Sequence, residues 1–246
     1  MFSFLKNKKT IESPFSMIGV DMHSHLIPGI DDGAQDLEDS VNMISKLREL
    51  GFTRIITTPH TYKEYYPNTS EGILEGLKLL KSRLQELEVD MEVEAASEYF
   101  VDEHFAELLE NRDLLTLGKT NYVLIEISFF GAPPNFEDYI FQMGLAGYQP
   151  VLAHPERYSF YANNFRKYQR LVDLGCALQI NALSLTGRYG SLAMKTAEKL
   201  LKNEMVTFFG TDCHNMGHAN QIYQLGQSSR WKKYKDYPFQ NKMLFK

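Results

Sequence analysis

The chain has 246 residues, a formal net charge of −5, and 43% hydrophobic and 23% charged residues, an ordinary balance that can bury one core. No Lys/Arg-rich block runs longer than a few residues, which excludes nucleic acid as the main partner, because a phosphate backbone demands a basic stripe. Small phosphates stay open, since two or three placed cations suffice for them. No apolar run reaches the roughly 18 residues of a membrane span, and two cysteines, Cys176 and Cys213, make no disulfide framework.

Taken in chain order, residues 1–16 read as an N-terminal tail ahead of a single domain over 17–246. The opening MFSFLKNKK places its basic residues after the apolar ones, the reverse of a signal peptide. The expected location is the cytoplasm, near a membrane only through a partner. A first strand is predicted over 17–22 (MIGVDM), then a helix over 36–50 with Leu37, Val41, Ile44 and Leu47 on one stripe and Gly51 as a left-handed cap. A second strand over 54–58 leads to a helix over 70–88, striped by Ile73, Leu77, Leu80, Leu84 and Leu87. Further strands are expected over 92–97, 122–127, 149–153, 176–181 and 206–210, with helices over 163–174 and 191–203, the last striped by Leu192, Thr196 and Leu200. The strands are continuous apolar runs, as parallel strands covered on both faces should be. Their alternation with helices implies right-handed crossovers and an α/β fold closed as a distorted (β/α)7 TIM-like barrel. A doubly wound open sheet is the alternative.

The informative residues follow the strands. Strand one runs into Asp21, His23 and His25, then Asp31, Asp32 and Gly33. Strand two ends at His60, strand three at Glu98, strand four at Glu126 and strand five at His154, followed by Pro155, Glu156 and Arg157. Strand seven delivers Asp212 and His214. A parallel barrel brings all these ends to one rim, where catalytic groups sit. Carboxylates this dense repel one another unless cations neutralise them, so the pattern points to metal binding. His23 and His25, at i and i+2, project to one side of an extended segment and can share an ion. Nitrogen and oxygen donors without thiolate suit manganese, iron or zinc. His104 reads as a helix-surface residue. Cys213 reads as packing; neither it nor Cys176 has the arginine six residues on that a cysteine phosphatase needs, Ala219 and Ala182 standing there.

The motifs VDMHSH, TTPH, ASEY, LIEIS, LAHPER and GTDCHN, in this order from Met17 to Asn215, make the chain resemble the PHP (polymerase and histidinol phosphatase) superfamily. Within it, the chain looks like the bacterial capsule and exopolysaccharide protein-tyrosine phosphatases. The resemblance implies two or three divalent metals, manganese first, with iron or zinc as alternatives. It implies one ion held by His23, His25, Glu98 and Asp212, a second bridged by Glu98 and held by Glu126 and His154, and a third held by Asp32, His60 and His214. Arg157 matches the family's phosphate-binding arginine. A second family arginine is absent from NMGHANQ, leaving His218, Arg188 or Arg230 to replace it. The implied reaction is hydrolysis of phosphotyrosine by hydroxide shared between metals, with a tyrosine kinase of capsule assembly as partner. Residue chemistry agrees: Arg157 can grip two phosphoryl oxygens, and a phenolate of pKa about 10 leaves without strong acid help. Tyr62, Tyr65, Tyr66, Phe129, Phe130, Tyr158, Phe160 and Tyr161 form either a ring-binding wall or loop packing. The competing functions are a small-metabolite phosphatase, such as one for histidinol phosphate, a nucleotide phosphoesterase, and a metal-retaining docking module without turnover.

Overall fold

In the computed structural model, which describes residues 13–162 and 164–246, every paired strand runs parallel. The strands are β1 (Val20–Asp21), β2 (Arg54–Thr57), β3 (His60–Thr61), β4 (Glu92–Ala95), β5 (Glu98–Phe100), β6 (Tyr122–Glu126), β7 (Gln149–Ala153), β8 (Ala177–Asn181) and β9 (Phe208–Gly210). Hydrogen bonding orders them as β1-β2-β4 and β3-β5-β6-β7-β8-β9. The second and third expected strands are thus each divided, at Pro59 and at Ser97. Proline has no N–H for the ladder, yet the pairing carries across the break: Ala96 N–H donates to Thr57 O at 2.9 Å and Glu98 N–H to Pro59 O at 3.0 Å. Counting each divided strand once gives the seven positions expected from sequence.

The ring closes where the first strand meets the last, and that seam is stitched at three levels. At the bottom, the buried Asn241 accepts from Phe209 N–H at 3.1 Å and donates to Val20 O at 2.9 Å. In the middle, the Asp21 carboxylate accepts from the Thr211 N–H and hydroxyl at 2.9 and 2.7 Å. At the top, Ser24 and Cys213 form a parallel bridge, with His25 N–H donating to Cys213 O at 3.0 Å. The C-terminal segment is therefore part of the barrel's architecture, and its 3-10 turn Asn241–Phe245 puts Leu244 into the barrel core.

Strand alternation sorts the side chains into two cores. Val123, Ile125, Ile55, Leu178 and Phe209 face outward into the larger cluster under the helices, whereas Ile56, Leu124, Val151, Ala153 and Phe208 fill the barrel itself. The helices covering the sheet include α1 (Leu37–Glu49), α2 (Ser70–Glu86), α3 (Glu103–Glu110), α4 (Phe136–Leu145), α5 (Phe165–Asp173), α6 (Gly190–Lys202), α7 (Met216–Gln227) and the short α8 (Ser229–Lys232). Asp36 and Thr69 cap α1 and α2 through their side chains, and Gly51 takes φ +101° after α1. Two stripe residues miss the core. Leu87 lies past the end of α2, and Leu192 is on the exposed side of α6, which instead buries Ala193, Thr196, Ala197 and Leu200.

Packing begins before the Met17 boundary: Phe15 is fully buried and stacks on Phe52 and Phe209, with Trp231 at 4.5 Å. The segment MFSFLKNKK lies outside the described residues. None of the described helices is long and apolar enough to cross a membrane.

Candidate metal and phosphoryl-transfer site

The strand ends converge as the alternation demands. The inner row that is apolar below turns polar one step higher: Leu124 is followed by Glu126, Ala96 by Glu98 and Ala177 by Gln179. All nine metal-ligand candidates fall into four overlapping groups whose donor atoms lie within 4.8 Å of one another. These groups are His25, Asp32, His60 and His214; His23, His154 and Asp212; His23, His25 and Glu98; and His60, Glu98 and Glu126.

Glu98 sits at the middle. One of its oxygens is 3.1 Å from His23 Nε2, 3.3 Å from His60 Nδ1 and 3.5 Å from His25 Nε2; the other is 2.9 Å from His154 Nε2. That two-sided placement suits a bridging carboxylate. Asp212 Oδ1 lies 3.4 Å from both His23 and His25, and Asp32 Oδ1 lies 3.5 and 3.4 Å from Nε2 of His60 and His214. His60 differs from the grouping that the resemblance implies. Its Nδ1 is 3.0 Å from Glu126 while its Nε2 faces Asp32, so it stands between two groups and not in one.

Whether these residues fit metal ions is tested by the atoms behind them. His23 Nδ1–H donates to Gln179 Oε1 at 2.8 Å, His25 Nδ1–H to Asp31 Oδ2 at 2.7 Å, and His214 Nδ1–H to the Asp212 carbonyl at 3.0 Å. Each acceptor fixes the proton on Nδ1 and turns a bare Nε2 lone pair inward, the arrangement that metal-ligating imidazoles adopt. The donor set is all nitrogen and carboxylate oxygen, as hard and borderline divalent ions require. His154 Nδ1 is buried without a partner among the described residues. The set fits.

Without cations the site balances itself. Burial opposes charge on His60, but Glu98 and Glu126 together outweigh it and lift the imidazole to about 9. Burial likewise acts against His25, and Asp31 and Asp212 raise it well above the usual value. Glu98 and Asp212 are driven well below the carboxylate range despite burial, chiefly by His23 together with His60 and His214 respectively. These are protons that a metal ion would displace.

Backbone shape contributes. His154 and Asp212 both take left-handed conformations, φ 35° and 51°, costing on the order of 1 kcal/mol each and aiming their side chains inward. Gly210 is required by proximity: a Cβ there would come within 2.6 Å of His23 Cβ and 2.7 Å of Gln179 Nε2.

Above the candidate ligands is a cavity of about 340 Å³, lined among others by Arg157, Arg188, Tyr189, Phe129 and His218. Arg157 donates to Asp212 Oδ2 at 3.2 Å, and its guanidinium lies 4.2 Å from the Tyr189 ring and 4.6 Å from that of Phe129. Two aromatic faces hold the fork in place. Burial works against its charge, and Asp212, with Tyr189 and Glu98, more than compensates.

Of the three candidates for the second cation, Arg188 lines this cavity. Arg230 does not: its Nη1 donates to Leu185 O at 2.8 Å and its Nε faces Glu198 at 3.4 Å. His218 reaches the cavity, but burial and the neighbouring His214 lower its pKa, and its Nδ1 lies 3.3 Å from His214 N and 3.2 Å from the Asp212 carbonyl. It braces the His214 loop, and the lowered pKa weakens it as a replacement for the second cation.

The aromatic loops divide. Phe129 stacks over His154 and Tyr66 over His60, whereas Tyr158 is fully buried, its hydroxyl accepting from Ile127 N–H at 3.1 Å, and Phe160 packs against Tyr161. Tyr65 and Phe130 face solvent. His104 pairs with Glu107 on α3 at 3.2 Å. Cys213 is buried 3.8 Å from Met43 Sδ, and burial lifts its thiol; it lifts that of Cys176 to about 12, so neither is a nucleophile.

Sequence reasoning assigned no role to Asp31, Gln179, Asn181 or Tyr189. The first three were detectable in principle: polar residues at i and i+2 of the apolar run CALQIN mark an inward row, and Asp31 adjoins Asp32. Asn181 donates through its side chain to Asp212, and its own N–H donates at 2.9 Å to the buried Glu156, so one chain of hydrogen bonds supports the ligand.

A family described as "Capsular polysaccharide synthesis, CpsB/CapC" matches residues 19–241. The tyrosine-protein phosphatase YwqE of Bacillus subtilis (strain 168) is 33% identical over 201 residues, 82% of this chain and 79% of the relative. The tyrosine-protein phosphatase CpsB of Streptococcus pneumoniae is 27% identical, covering 87% of this chain and 90% of the relative. A crystal structure from work on those two proteins, described there as metal-dependent tyrosine phosphatases, superposes with TM-score 0.80 at 31% identity over 92% of this chain and 90% of the other. A structure from Listeria monocytogenes, 12% identical with TM-score 0.53 over 83% of this chain and 98% of the other, shares the fold.

Proposed function

This chain belongs to the CpsB/CapC capsular polysaccharide synthesis family, and from that premise we propose that it is a metal-dependent protein-tyrosine phosphatase. The observation that carries the reading is the inward convergence of His23, His25, Asp32, His60, Glu98, Glu126, His154, Asp212 and His214 beneath a cavity walled by two arginines. Those nine residues hold two or three divalent ions, manganese first. When bound, the ions supply Lewis-acid charge for phosphoryl oxygens and make water nucleophilic near neutral pH.

The chain's own residues do the rest. Arg157, fixed between Phe129 and Tyr189, grips two non-bridging oxygens with its planar fork. Arg188, at the cavity wall, supplies the second positive charge. Asp31 and Gln179 keep His25 and His23 in the ligating tautomer. Phe129 and Tyr66 present ring faces at the mouth to an aryl group. Among the described residues the cavity lining offers few candidate acids for an alkoxide leaving group, which favours phenolate departure. The physiological substrate in this reading is a tyrosine kinase of capsule or exopolysaccharide assembly, and the protein acts in the cytoplasm beside it.

The test is metal-loaded protein assayed on matched phosphotyrosine and phosphoserine peptides and on histidinol phosphate. Phosphotyrosine should win in kcat/KM by about a hundredfold or more. Preference for histidinol phosphate would make it a metabolite phosphatase, and metal binding without turnover on any of them would make it a docking module.

A further inference from the structure

A second cavity, of about 780 Å³, adjoins the first between the 3-10 turn Ala182–Thr186 and helices α7 and α8. Its charged lining is Arg188, Arg230 and Lys233, with no carboxylate. In a chain of net charge −5, three cations without an acid in one groove is a local reversal of sign. Arg188 lines both cavities, so the groove opens from the wall of the catalytic pocket.

We propose that this groove receives acidic residues flanking the phosphotyrosine, which makes the enzyme selective for acidic phosphopeptides. The inference rests on the phosphotyrosine reading above. Arg188 is positioned by Gln221, whose Oε1 accepts from its Nη1 at 3.3 Å. Arg230 is anchored to Leu185 O and partly neutralised by Glu198. Lys233 is exposed, and neither it nor Arg188 has a carboxylate partner within 4 Å among the described residues. Lys233 and Arg188 thus provide most of the unspent charge. Gln224 and Ser229 add neutral donors and acceptors for a peptide backbone. A peptide leaving the catalytic pocket past Arg188 advances about 3.3 Å per residue when extended, so the first few positions beside the phosphotyrosine pass over the three cations.

The experiment uses metal-loaded full chain and labelled peptides carrying phosphonomethyl-phenylalanine, which binds as phosphotyrosine but is not hydrolysed. One peptide has glutamates flanking that residue, the other glutamines, and affinity is read by fluorescence anisotropy. The acidic peptide should bind about tenfold tighter at low salt, with the ratio contracting towards one by about 0.5 M salt as the Debye length shortens. Lys233→Gln should cut the ratio about threefold and Arg230→Gln less, whereas Lys81→Gln, on the exposed face of α2, should leave it as in the parent. Equal affinity for the two peptides, a ratio unmoved by Lys233→Gln, or an equal loss with Lys81→Gln would each overturn the proposal. Hydrolysis of true phosphotyrosine peptides is measured beside it. Selective binding without hydrolysis would sink the phosphatase reading and leave the groove, while hydrolysis without selectivity would do the reverse.

Discussion

The two halves of the barrel interior are made from the same strands by the same alternation, and they are opposite in character. Below, Ile56, Leu124, Val151, Phe208 and Leu244 form a dry plug. Above, the continuation of those rows carries His60, Glu98, Glu126 and Asp212, all drawn into one charged cluster. The lower half is held by area removed from water and tolerates any apolar residue of similar volume. The upper half accepts only donors that are oriented, and orienting groups are held in turn by further hydrogen bonds, as Asn181 and Gln179 show. The geometric tolerance of the two levels differs accordingly, although the backbone scaffold is shared.

Four measurements test that contrast. The largest effect is expected for Glu98→Ala, which removes a carboxylate reaching His23, His60 and His154. It should lower kcat/KM by about a thousandfold or more and cost more bound metal than His60→Ala; elemental analysis with equal or unchanged metal in both variants would contradict the bridging role. Next, Arg157→Ala should cut kcat/KM about a hundredfold, on the order of 3 kcal/mol, with metal content intact, and Arg157→Lys should recover only part. A loss of metal alongside activity would mean that the arginine serves mainly to hold Asp212.

The lower half should respond differently. Leu124→Ala, in a fully buried position, should cost about 2–5 kcal/mol in denaturant unfolding while the folded enzyme keeps its kcat/KM. Parallel loss of metal at temperatures where the fold persists would show that the two levels are coupled. The smallest signal is counted in protons. Because His60 is lifted to about 9 in the metal-free site, it is protonated at neutral pH and must lose that proton to become a ligand. Metal added to apoprotein near neutral pH should therefore release acid in a pH-stat, and the release should fade as pH rises past about 9. No release at neutral pH would place the metals elsewhere.

Much of the site was legible because it depends on period and order. HSH after one strand, a lone histidine after the next and glutamates after two more are local signals, and a parallel barrel converts them into one rim. The division of the second and third strands was less legible, since Pro59 interrupts a ladder that the neighbouring bonds restore. The left-handed turns at His154 and Asp212 were not legible at all, because neither residue is a glycine and only the surrounding packing holds them there.

The class of fold and the candidate donor residues at one rim were readable along the chain, because alternation and composition are properties of neighbours in sequence. The closed ring sets how the donors share one another, that His60 stands between two groups, that Arg188 and not Arg230 faces the catalytic cavity, and that the pKa of His218 is lowered. It also sets the work of the C-terminal segment, whose Asn241 closes a seam with Val20, more than two hundred residues away. The reason is physical: distances of 3 Å between residues far apart in sequence are set by the closure of the whole ring, and charge states follow those distances.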